Sequence, residues 1–92
     1  MSYVTEVADL FLARFPHITI LNPTDYVIIS EWEKQEIPIT IVLNSINEIS
    51  HNLDGEKKQI ESISYFQETI KKNFRDWLQT QGEELKHFQN PV

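Results

Sequence analysis

The stretch NPTDYVIISEWEKQEIP, residues 22–38, decides the fold. Asn22 suits a helix N-cap, and Pro23 suits the first helical position, where a missing N–H is no loss. Asp25 stands at the third position and can reach back to the Asn22 N–H, as the acid of a capping box does. It also places negative charge at the positive end of the helix dipole. Ile28, Ile29 and Trp32 form one side of this helix, with Tyr26 beside them. Val27 and the acids Glu31 and Glu33 lie further round. The helix runs out at Gln35 and Glu36, where a glycine is the usual terminator. Pro38 then occupies the first turn of a second helix. The stretch therefore reads as a helix–turn–helix corner.

Downstream, Ile39, Val42, Leu43, Ile46, Ile49 and Leu53 recur at helical spacing. The segment IPITIVL is rich in β-branched residues, which favour strands. Strand alternation fails there, because Val42 falls on the face opposite Ile39, Ile41 and Leu43. Upstream, Ser2 can cap a helix over Tyr3–Phe15, with Val4, Val7, Ala8, Phe11 and Phe15 on its apolar face. Tyr3, Leu10 and Leu12 widen that face, and Pro16 stops the helix. His17–Leu21 reads as an extended link. Residues 51–59 read as a polar loop with an Asp54-Gly55 turn and solvated Lys57 and Lys58.

A fourth helix starts at Ser62 or Ser64 and runs to Gln81, with Gly82 as its C-cap. Ile63, Phe66, Ile70, Phe74, Trp77 and Leu78 make its stripe. The prediction is an all-α, compact four-helix single domain over residues 1–82, with a C-terminal tail over 83–92 that carries Leu85 and Phe88.

A length of 92 residues sets one domain with a small core. The absence of cysteine removes disulfides, thiolate metal sites and cysteine nucleophiles. MSYVTEVADL has neither a basic n-region nor a long apolar run, and no stretch is apolar enough to span a bilayer, so a cytoplasmic protein with no membrane partner is expected. The net charge is −6, and residues 1–50 hold −5 of it, which would repel a phosphate backbone.

Few residues carry candidate chemistry. His17, His51 and His87 lack the spacing of a metal site, so no metal is expected. Glu31, Glu33 and Glu36 cluster at the exposed end of a helix rather than in a buried acid–base pair. There is no nucleophile elbow and no phosphate-cradling loop, because Gly55 and Gly82 stand far apart. No enzymatic activity, cofactor or small-molecule substrate is expected. Tyr26, Trp32 and Trp77, with the acids Glu31 and Glu33, are instead the candidates for a partner-binding apolar groove, used for a protein partner or for self-association. Lys71, Lys72 and Arg75 share one face and form the candidate nucleic-acid contact. The helix after the corner carries no base, unlike a DNA-reading recognition helix.

The frame L-N-P-x-D…I-x-x-W…I-P…V-L-x-x-I, residues 21–46, resembles the DnaD-type domain of bacterial replication-initiation and helicase-loading proteins. It is also similar to a set of small bacterial proteins with an L-S-P-x-D…W…G-I-P frame followed by S-L-x-Y, where this chain has SISYF at 62–66. The resemblance spans residues 21–78. It implies a similar helical fold and, on the DnaD side, a replication accessory factor touching DNA through the fourth helix. Glu36 replaces the glycine of the second frame, and Thr69 and Asn73 stand where the DnaD-type helix has Ile and Trp.

Overall fold

A computed structural model describes the backbone of residues 2–89 and the side chains through Gln81, Asp54 excepted. The described residues form four α-helices and two short 3-10 helices, and none forms a strand. Helix α1 is Tyr3–Arg14, α2 is Pro23–Lys34, α3 is Ile39–Leu53 and α4 is Gln67–Gln89. Among the described residues no helix is long and apolar enough to cross a membrane.

Local chemistry sets the helix ends. The Ser2 backbone is extended and its hydroxyl accepts the Thr5 N–H at 3.1 Å. Phe15 closes α1 by donating its N–H to the Phe11 carbonyl at 3.0 Å. Pro23 opens α2 behind an extended Asn22, as the corner reading requires.

The end of α2 is more specific. Glu36 has φ of 60°, a left-handed conformation that L side chains adopt at a cost. Its N–H donates to the Glu33 carbonyl at 3.0 Å, and the Ile37 N–H donates to the Trp32 carbonyl at 3.1 Å. This pair of bonds is a Schellman motif, with Ile37 and Trp32 both buried. The Tyr3 hydroxyl donates to the Ile37 carbonyl at 2.8 Å and ties the corner to the start of α1.

Helix α1 packs on both α2 and α3, α4 packs on α3, and the turn Ile63–Phe66 touches both α2 and α4. The core gathers Val7, Phe11 and Phe15 of α1, Ile28, Ile29 and Trp32 of α2, and Val42 and Ile46 of α3. Ile63, Phe66 and Ile70 complete it. Phe11, Phe15 and Phe66 meet with ring centres 5.0–5.9 Å apart, one contact being edge-on at 88°. Such tilted aromatic contacts add about 0.5–1.5 kcal/mol each beyond burial.

Three expectations are corrected. The polar loop at 51–59 is not a loop: α3 runs on to Leu53 and a 3-10 helix follows over Asp54–Gln59. The fourth helix begins with a 3-10 turn, Ile63–Phe66, rather than as α-helix, and of the two expected starts, Ser62 and Ser64, it takes Ser62. Ser62 is the cap, accepting the Ser64 N–H at 3.1 Å. Helix α4 passes through Gly82 to Gln89, so Gly82 does not end it. The expected docking of Leu85 and Phe88 lies outside the described side chains.

Candidate functional site

Asp25 carries more than its own helix. Its side chain is buried, and one carboxylate oxygen accepts the Asn22 N–H at 3.1 Å. The other accepts the Ser62 hydroxyl at 2.6 Å and the Ile63 N–H at 3.2 Å. A carboxylate buried this deeply is tolerated only when its lone pairs are filled. The result is a junction that fastens the first turn of α2 to the 3-10 turn leading into α4.

From that junction α2 and α4 rise without packing side by side. Helix α2 leans on α1, α4 leans on α3, and both touch the turn Ile63–Phe66. A cleft of about 380 Å³ opens between them. Ile28, Trp32 and Ile37 line it, although each is a core residue that shows solvent little of its surface. Val27, 59 % exposed, stands at the α2 rim. Glu31 from α2 and Glu68 and Lys71 from α4 supply the charge. Residues seven apart on a helix share a face, so Leu78, 49 % exposed, stands two turns beyond Lys71 on the same face of α4, past the cleft lining and with Arg75 between them.

A second cleft, of about 320 Å³, lies between α3 and α4. Trp77 lines it with Ile41, Asn44 and Thr80, and its ring stacks on Phe74 at 6.1 Å. Below it, the Asn73 amide donates to the Ser45 hydroxyl at 2.8 Å, which in turn donates to the Ile41 carbonyl at 2.7 Å. These bonds fix α4 against α3. A third, polar hollow between the ends of α1 and α3 contains Arg14, whose Nε donates to the side-chain amide oxygen of Asn47 at 2.7 Å.

The expected single groove edged by Tyr26, Trp32 and Trp77 is therefore corrected. Trp32 floors the α2–α4 cleft, Trp77 lines the α3–α4 cleft, and Tyr26 is exposed on α2 outside both linings. The helical spacing of Trp77 is continuous with the core stripe, but α4 outruns α3, so the stripe emerges into solvent. Glu31 lies at the cleft and Glu33 does not. Glu33 sits near Tyr3 instead. Burial, and then the Glu33 charge, push the Tyr3 phenol up to about 12.

The three bases also separate. Lys71 faces the α2–α4 cleft, Lys72 pairs with Asp76 at 3.2 Å, and Arg75 is exposed. His17 Nε2 lies 2.7 Å from the Ile60 carbonyl, which the imidazole N–H reaches as donor. His51 sits in the last turn of α3, and the His87 side chain lies outside the described residues.

The role of Ser62 escaped the sequence reading. It lies 37 positions from Asp25, and no local pattern links the two. The chain matches no family model, no curated protein and no solved structure.

Proposed function

We propose that the protein is a small interaction module that docks a partner's amphipathic helix in the α2–α4 cleft. One observation carries this reading. A cleft opens between α2 and α4, with the exposed Val27 at its rim and the largely buried Ile28, Trp32 and Ile37 beneath it. Val27 adds exposed apolar surface at the rim, and Leu78 exposes more two turns further along α4. A helix laid in such a groove presents residues at i, i+3, i+4 and i+7 to the floor. On this reading the protein acts by binding alone, with no reaction and no cofactor.

The DnaD-like reading, with α4 on DNA, has less support. Lys72 already pairs with Asp76, and Lys71 turns to the cleft. A net charge of −6 opposes the approach of a phosphate backbone.

The test is a pair of exposed-site variants, Val27→Glu and Leu78→Glu. Both positions are on the surface, so helicity and unfolding midpoint should stay near wild type, within about 0.5 kcal/mol. Partners captured by the wild type should be lost from both variants and kept by Asp9→Lys on the exposed face of α1. Equal capture of the same partners by all four proteins would overturn the reading.

A further inference from the structure

We draw no further inference here: the strongest candidate, the exposed apolar patch of Trp77 and Leu78 where α4 outruns α3, carries nothing further, because nothing in the structure shows what covers it.

Discussion

At the scale of single residues, Asp25 and Glu36 hold the corner by opposite means. Asp25 fills its buried lone pairs with two backbone N–H groups and one hydroxyl. Asp25→Ala should strand those donors and cost about 3 kcal/mol or more, and Ser62→Ala about 1–2 kcal/mol. Chemical denaturation of the two variants and the double should show the losses to be less than additive, because they share one bond. Strictly additive losses would mean that the Asp25–Ser62 bond contributes nothing. Glu36 does the reverse and spends stability. Its left-handed φ costs an L residue about 1 kcal/mol that glycine avoids. Glu36→Gly should therefore raise stability by about that amount, with an unfolding midpoint above wild type. A fall in midpoint would mean that the Schellman geometry is not the native one. Tyr3 adds a pH signature. With the phenol pushed from 10.0 in the unfolded chain up to about 12, its contribution is complete below pH 10 and is lost as pH rises toward 12. Tyrosinate absorbance should show one of the three tyrosines titrating late, and Tyr3→Phe should remove that step.

At the scale of elements, α4 is the helix whose ends the sequence conceals. Starts are legible where a cap acts locally, and Ser2, Asn22 and Pro23 stand where their chemistry places them. The helical reading of IPITIVL also holds, because burial of Val42 and Ile46 outweighs β-propensity. The α4 boundaries depend on distant or absent partners. Its start is tightened into a 3-10 turn by Ser62, whose hydroxyl is engaged by Asp25 of another helix. Gly82 suits a C-cap, yet a glycine inside a helix only weakens it and need not end it. The sign of one substitution decides the matter. Within a continuing helix, Gly82→Ala should raise helicity and stabilise by about 0.5–1 kcal/mol. At a left-handed C-cap the same change would destabilise.

At the scale of the whole molecule, the bundle is longer than its residue count suggests. Its radius of gyration is 15.3 Å and its extents are 55 × 27 × 21 Å. A spherical domain of this length would have a radius near 12 Å. The difference comes from α4, about 34 Å long, whose residues Arg75–Gln81 are all exposed. Small-angle scattering should return an elongated particle, whereas a radius near 12 Å would mean that α4 folds back on the bundle. This shape also explains why the groove was only half legible. Helical spacing assigns Trp32 and Trp77 to inward faces, but which faces then lie open depends on how the helices are arranged. That arrangement is fixed by Asp25–Ser62, Asn73–Ser45 and Tyr3–Ile37, contacts across 28 to 37 positions that no local pattern encodes.

The Asp25 junction also bears on the order in which the chain matures. Its three donors come from residues 22, 62 and 63, so a nascent chain ending before Ser62 can give Asp25 only its local partner. Until the later residues emerge, a carboxylate destined for the interior must stay wet, and the first turn of α2 cannot seat. The α1–α3 contact uses none of these donors. The segment that carries Ser62 also carries Phe66, which meets Phe11 and Phe15, so the same stretch of chain completes both the junction and the aromatic core.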